Sequence, residues 1–432
     1  MLKRIGVVLS LLVFLLGTFA IASAAPADQV ILGDETPAGI PTHIIVFKSA
    51  GGLVSAQAVE SAANSLALAY GLTTTNVYSS AFKGMAAVVP PARLAALRRD
   101  PRVASIEPNQ VWSIAAQTVP TGIGRIFATS NPNLTINGVD DRRIDVDVAV
   151  IDTGVDFDHP DLNVYRRVDC TSWNPFQRRC TSGGDDGNGH GTHVAGTIAA
   201  LDNSIGVVGV APGARIWAVK VLSNSGSGYT NWILAGIDYV TANAASIEVA
   251  NMSLGCECTS SAQTNAITSS IAAGVVYAVA AGNSDKNAST FNPANHPDVI
   301  TVSALSDFNG LPGGGAASTC RVDQDDTLAD FSNWGSLVEI AAPGVCIYST
   351  WFGGGYNTIS GTSMASPHAA GAAALLASVN NPNNRAAVLA IRSTIMTNGN
   401  LNWTDDSGDG VKERLLDVSN TTVFNPNTVA SP

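Results

Sequence analysis

The chain has 432 residues, 46% of them apolar and 13% charged, which excludes a disordered chain and allows two or three domains around large cores. Lys and Arg total 23 against 34 Asp and Glu, a formal charge of −11, and no basic run exceeds two residues. A binder of nucleic acid or of an anionic membrane needs a basic patch, so both classes are excluded.

Lys3 and Arg4 open the chain's first segment. Ile5 to Ile21 follows as an almost wholly apolar run of 17 residues, and Ala22-Ser23-Ala24 supplies a small-x-small cleavage pattern. This predicts a secretory signal over residues 1–24. The run sits at the short edge of a membrane span, so no membrane attachment is expected once it is cut. An exported chain is disulfide-permissive, and the six Cys suit that.

Residues 25–115 carry equal numbers of acidic and basic side chains, whereas 116–432 carry 15 basic and 28 acidic ones, so a domain boundary is expected near Ala115. The first of these parts reads as β-α-β-β-α-β. His43–Phe47 is a strand. Ser55–Tyr70 has apolar residues at helical spacing and stops at Gly71. Val77–Phe82 and Met85–Val89 read as strands around Lys83-Gly84. Ala92–Arg99 is a second helix and Val103–Ile106 a last strand. This is a ferredoxin-like α+β pattern with nothing catalytic in it.

The second part alternates apolar strands (146–151, 216–221, 245–252, 275–281, 299–302) with helices (192–201, 232–242, 262–273, 363–379). That order implies an α/β domain with a mainly parallel sheet covered on both faces.

The chemistry gathers at element ends. Asp152 closes the first strand of this part, where open α/β sheets place their sites. His190 stands in Gly189-His190-Gly191-Thr192-His193. Its H-x-x-H spacing is wrong for a helical zinc pair, which needs i, i+4. Ser363 stands in Gly361-Thr362-Ser363-Met364-Ala365-Ser366-Pro367-His368, where small residues present a hydroxyl at a helix start. Each has a plain structural reading as a cap or core residue. Together, an Asp, a His and a Ser on three loops of one sheet meet the requirement for an activated hydroxyl nucleophile. The order Asp, His, Ser excludes the α/β-hydrolase and chymotrypsin arrangements.

These three signatures, in this order, resemble the subtilisin-like serine proteases from about Ala116 to Val418. The resemblance implies a subtilisin-like three-layer fold over 116–432, preceded by an inhibitory, folding-assisting propeptide over 25–115. It implies a secreted, self-processing serine endopeptidase acting on polypeptides, monomeric, with its own propeptide as inhibitor. Ser363 becomes the nucleophile, His190 the general base, Asp152 its orienting partner and Asn283 the side-chain donor of an oxyanion hole. Ser253-Leu254-Gly255 and Gly226-Ser227-Gly228 become the two edges that grip an extended substrate. His193 and His368 are expected to be structural.

The resemblance also implies structural Ca²⁺. The first site comprises Gln117, Asp161, Leu201, Asn203, Ile205 and Val207, an all-oxygen set. A second, weaker one comprises Pro297, Val299 and Asp307. Asp405-x-Ser407-x-Asp409-Gly410 matches half of a calcium-loop pattern, but its twelfth position is Leu416, and it reads as an acidic turn. Six Cys allow 15 pairings. Cys170–Cys180 closes a short loop and Cys320–Cys346 ties two neighbouring loops. Cys256 and Cys258, directly after Gly255, either bond each other or remain thiols, and they depart from the family pattern. Two alternative readings are a secreted esterase, against which the two strand edges favour an extended peptide, and a catalytically dead secreted binding protein of the same fold, against which the complete set of triad and oxyanion residues stands.

Overall fold

The computed structural model describes residues 42–48, 55–109, 116–171 and 180–431. The expected signal segment lies outside the described residues, as do Ile114 and Ala115 at the expected boundary. The chain forms two compact units, Met1–Ser113 and Ile114–Pro432.

In the first unit, β1 (His43–Phe47), α1 (Ala56–Tyr70), β2 (Thr73–Tyr78), β3 (Gly84–Val88), α2 (Pro91–Leu97) and β4 (Val103–Pro108) build an antiparallel sheet of order β2-β3-β1-β4. Ser55 caps α1 by accepting the Ala58 N–H, and Gly71 ends it in the left-handed region. That turn delivers the chain straight into Thr73-Thr74-Thr75. The β-branched run therefore forms β2, and the strand expected at Val77–Phe82 begins four residues earlier. Val59, Ala63 and Leu66 of α1 pack on Ile45, Met85 and Ala87 of the sheet.

The second unit opens with α3 (Thr121–Arg125) and β5 (Arg142–Ile144). Its central sheet contains β6 (Asp147–Asp152), β7 (Val164–Asp169), β8 (Thr181–Ser182), β9 (Arg215–Lys220), β10 (Val249–Met252), β11 (Val276–Ala280), β12 (Ile300–Ser306), β13 (Thr327–Leu328), β14 (Ile340–Pro343) and β17 (Arg414–Leu415). The order is β17-β14-β12-β11-β10-β6-β9-β7-β8, with β13 paired to β12. Every pairing is parallel except β7–β8 and β12–β13. Strands β6, β10, β11 and β12 are buried along their whole length, as a sheet covered on both faces requires. The strand expected from Ala245 starts at Val249, because Asn243–Ser246 closes a turn first.

Helices α4 (His190–Ala199), α5 (Thr230–Ala242), α6 (Ser261–Ala272), α7 (Thr362–Val379) and α8 (Arg385–Asn398) surround the sheet, and β15 (Ile347–Trp351) pairs with β16 (Gly355–Ile359) as a hairpin. The core helix is α7. Its Ala-rich faces approach β10, β11, β12 and β14, and it also packs on α4. The two helices whose first turns carry His190 and Ser363 are thus locked to one another and to the strand ends.

Candidate active site

Asp152 is the last residue of β6 and is fully buried. Its Oδ1 accepts from His190 Nδ1 at 2.7 Å and from the Thr153 N–H at 2.7 Å. His190 opens α4. The helix start can close on the Asp152 loop because residue 191 is glycine: a Cβ there would lie 2.0 Å from the Gly154 carbonyl oxygen. Gly154 has φ 103° and a Cβ on it would meet Gly184 O at 2.5 Å, so this turn also demands glycine. The Lys220 ammonium donates to the Thr153 carbonyl and, at 2.9 Å, to Asn224 Oδ1.

The buried carboxylate of Asp186 joins the Asp152 loop to the helix. Oδ1 accepts from Thr153 Oγ1 (3.0 Å) and from the N–H groups of Asn188 (2.9 Å) and Gly189 (3.0 Å). Oδ2 accepts from Thr192 N–H (3.0 Å) and Oγ1 (2.6 Å). Asp186 therefore satisfies orphan donors at the start of α4 while fixing Thr153. Sequence reasoning assigned it no role. The signal was an Asp four residues before the helix-opening His, in capping range. Burial of the His190 ring opposes its charged form, but Asp152 beside it and Asp186 behind outweigh this and hold its pKa above the ordinary histidine value.

Ser363 is the second residue of α7. Its Oγ donates to the Ser253 carbonyl at 3.1 Å, and Ser253 Oγ donates back to the Ser363 carbonyl at 2.7 Å. Asn283 follows β11. Its Oδ1 accepts both the N–H and the hydroxyl of Thr362, each at 2.8 Å. A Cβ built on Gly361 would lie 3.4 Å from Asn283 Nδ2 and 3.7 Å from the Ser363 nitrogen, so these two donors flank one spot.

His190, Ser363 and Asn283 line one cleft of about 700 Å³. Gly226, Ser227 and Gly228 form one of its walls and Ser253, Leu254 and Gly255 another. Among the described residues no Asp, Glu, Lys or Arg lines it. A smaller cavity of about 230 Å³ opens beside Ser363 and Asn283, between Leu254-Gly255 and Phe291-Asn292. His193 and His368 lie outside this arrangement. Burial pushes them down to about 3 and about 4, and each ring pairs with a carbonyl, Ile347 and Met364 respectively.

The structure brings the first candidate calcium set together. Asp161 is fully buried, and its carboxylate accepts from Val207 N–H (2.9 Å), Asn203 Nδ2 (2.8 Å) and the Tyr356 hydroxyl (3.2 Å). Gln117 Nε2 donates to the Leu201 carbonyl at 2.9 Å, and Thr118 N–H donates to the Gly206 carbonyl at 2.7 Å, laying the 117–118 segment along the Leu201–Val207 loop. Burial holds the Asp161 carboxyl up at about 6. The Asp161 carboxylate faces N–H and O–H donors here; with the Asn203 and Gln117 amides turned about, their oxygens, the Leu201 carbonyl and the carboxylate make a donor set that fits a hard cation. Among the described residues no group of three or more His, Cys, Asp or Glu could hold a metal, so such an ion would rely on those neutral oxygens.

The second candidate set is not brought together. Val299 precedes β12 and Asp307 follows it. At ~3.3 Å per residue they stand roughly 25 Å apart. The carbonyl of Val299 already receives a cation, Arg392, whose Nε donates at 2.9 Å while its Nη2 pairs with Glu339 at 2.5 Å. Asp307 pairs instead with the buried Arg125 at 3.3 Å. The Pro297, Val299, Asp307 expectation is corrected accordingly. The Asp405–Asp409 turn folds on itself: Ser407 N–H donates to Asp405 Oδ1 and Val411 N–H to Asp409 Oδ1. Disulfides join Cys170–Cys180, Cys320–Cys346 and Cys256–Cys258.

Comparison with known proteins agrees with this geometry. Residues 144–416 match the subtilase family of peptidases, and residues 42–115 match the peptidase inhibitor I9 family. The chain is 43% identical to subtilisin E of Bacillus subtilis over 287 residues, covering 65% of this chain and 67% of that protein. It is 44% identical to the subtilisin of Bacillus pumilus over 268 residues, covering 61% and 86%. A crystal structure of a cold adapted subtilisin-like serine proteinase superposes with a TM-score of 0.53 at 37% identity, covering 63% of this chain and 88% of that one. The chain belongs to the subtilase family. It is a serine endopeptidase that carries an I9 propeptide domain.

Proposed function

We propose that the chain is exported after removal of residues 1–24 and matures by its own cleavage between Ile114 and Gln117. Residues 116–432 then hydrolyse peptide bonds of broad sequence through an acyl-enzyme on Ser363. The observation that carries this reading is the 2.7 Å bond between Asp152 Oδ1 and His190 Nδ1, in one cleft with Ser363 and Asn283. In this reading substrate entry turns the Ser363 hydroxyl from the Ser253 carbonyl to His190 Nε2. His190 takes the proton and later gives it to the leaving amine. Asp152 keeps the proton on Nδ1 and stabilises the imidazolium. Asn283 Nδ2 and the Ser363 N–H stabilise the oxyanion, helped by the positive end of α7. An extended peptide adds as a strand between residues 226–228 and 253–255.

The freed segment 25–115 acts as an inhibitor in trans. Calcium held by Gln117, Asp161, Leu201, Asn203, Ile205 and Val207 stabilises the folded state by mass action. Among the described residues no helix is long and apolar enough to cross a membrane. The test is Ser363→Ala. It should give a folded protein that neither matures nor cleaves peptides, while a serine-directed phosphonate labels the wild type at Ser363. Full activity in the alanine variant would overturn the assignment.

A further inference from the structure

The catalytic reading leaves Cys256-Glu257-Cys258 without a task. Gly255, the end of the candidate substrate-pairing wall, runs directly into it, and Cys256 lines the main cleft beside Leu254 and Gly255. Cys256 is held from across the cleft: its N–H donates to the Asn292 carbonyl at 3.0 Å, and the Asn292 N–H returns to the Cys256 carbonyl at 2.9 Å. Asn292 is only 2% exposed and lines both the main cleft and the smaller cavity beside Ser363. The disulfide thus reaches that cavity in two steps, by fixing Cys256, which in turn fixes Asn292.

Among the described residues little else holds this segment. Ser253 is tied to Ser363 on one side, and Ser260 caps α6 on the other, accepting the Gln263 N–H. Between them residues 255–257 and 259 are exposed. The remaining tether is the Lys286–Glu257 ion pair at 2.7 Å, whose side chains are 51% and 52% exposed and which adds little order in water.

The bridge is poorly suited to stabilising the fold. Its cysteines are 2 apart in sequence, against 10 and 26 for the other pairs, and the constraint a disulfide places on the unfolded chain grows with the loop it closes. It is open to exchange, because Cys256 is exposed and thiol attack requires access; Cys320 is exposed as well, whereas Cys170 is 6% exposed, so access separates this bridge from Cys170–Cys180 and its place on the cleft separates it from Cys320–Cys346.

We propose that the Cys256–Cys258 bridge is a specificity-determining clamp on the cavity beside Ser363, and that a small dithiol opens it. The proposal rests on reading Ser253–Gly255 as the substrate wall. In the opening step a reagent thiolate attacks one sulfur and displaces the other cysteine as a thiolate. The reagent's second thiol then resolves the mixed disulfide. Two electrons and two protons pass to the protein, which ends with two thiols, and the reagent ends as a cyclic disulfide. The closed clamp holds the cavity wall against side chains of the wrong shape. The open one lets residues 255–259 relax and discriminates less.

The test uses mature enzyme, with active sites counted by a serine reagent. A peptide series differing only in the residue before the scissile bond is assayed oxidised, in the presence of dithiothreitol, and after reoxidation with oxidised glutathione. Alkylation and peptide mapping report which thiols have formed. Cys256 and Cys258 should open before Cys170 and Cys180. The ratio of kcat/KM between best and worst peptides should then fall about fivefold, mainly through KM, and recover on reoxidation. Cys256→Ser with Cys258→Ser should reproduce the reduced profile and ignore dithiol. Reversible reduction of the wild type decides the question even where that variant does not fold. An unchanged profile with both thiols formed overturns the proposal, as does opening of Cys170–Cys180 before Cys256–Cys258. Enzyme that cleaves no peptide and takes no label at Ser363 would instead sink the proteolytic reading beneath it.

Discussion

Thr362 gives both of its donors to one atom: its N–H and its hydroxyl each reach Asn283 Oδ1 at 2.8 Å. The same hydroxyl accepts the Gly282 N–H at 3.1 Å, and Thr362 is fully buried. With Oδ1 occupied twice, the amide's orientation is set, and Nδ2 is the end left beside the Ser363 N–H. In the proposed mechanism Thr362 is a positioning residue for the oxyanion donor.

Thr362→Val should therefore lower kcat about tenfold, on the scale of one lost hydrogen bond to an oriented group, with little change in KM. Asn283→Leu should lower kcat by ~10²–10³, the size measured when the equivalent donor of a subtilisin is removed. The discriminating measurement is the double variant. If Thr362 acts through Asn283, adding Thr362→Val to Asn283→Leu costs nothing further. Additive losses would show that Thr362 does something else.

The raised pKa of His190 predicts the acidic limb of the pH profile. Only the neutral ring can accept the Ser363 proton, so kcat/KM should fall as pH drops through a value above that of an ordinary histidine. Asp152→Asn removes the nearby charge that raises it. Residual activity should drop about 10⁴-fold, and the limb should move to lower pH. A limb that stays in place would assign the titration to another group.

How much of this was legible before the structure depended on distance along the chain. Asp152, His190 and Ser363 each sit in a short run where glycines and small residues make a turn at an element end, so local pattern exposed them. The ferredoxin-like unit and the parallel sheet were legible from hydrophobic runs for the same reason. The role of Asp186 depends on Thr153, 33 residues away, and that of Arg392 on a carbonyl 93 residues away, which no local pattern encodes. The second calcium set failed at one point. The strand expected to stop at Val302 continues through Ser306 and carries Asp307 to the far end of β12. The hairpin of β15 and β16 and the helix α8 were also unread. The hairpin is interrupted by glycines, and α8 mixes buried Val388, Ile391 and Ile395 with a polar face.

The Asp161 loop predicts calcium-dependent stability. Mature enzyme should melt several degrees lower in excess chelator than in millimolar calcium, since an ion that binds only the folded state adds ~3–4 kcal/mol at 100–1,000 times its Kd. Asp161→Asn should melt at the same temperature in both. A calcium-dependent shift that survives in this variant would place the ion elsewhere.

The Arg392–Glu339 pair predicts a pH-dependent defect. Glu339 is buried, and burial holds its carboxyl up at about 7 in spite of Arg392. A carboxyl raised above its unfolded value of 4.5 favours the folded state most when protonated. That contribution is present below about pH 4.5 and is lost as pH rises to about 7. Arg392 offsets the loss by supplying positive charge to the Glu339 carboxylate and the Val299 carbonyl together. Arg392→Met keeps the bulk and removes that charge. It should cost about 2–3 kcal/mol at pH 8, below the ~3–5 kcal/mol of a fully buried severed pair because the guanidinium keeps some solvent contact. At pH 5, where Glu339 can stay protonated, the cost should shrink to about 1 kcal/mol, the scale of a lost neutral hydrogen bond. Urea denaturation of wild type and variant, both with Ser363→Ala to prevent autolysis, gives the two differences. An equal loss at both pH values would mean that Arg392 serves packing rather than charge.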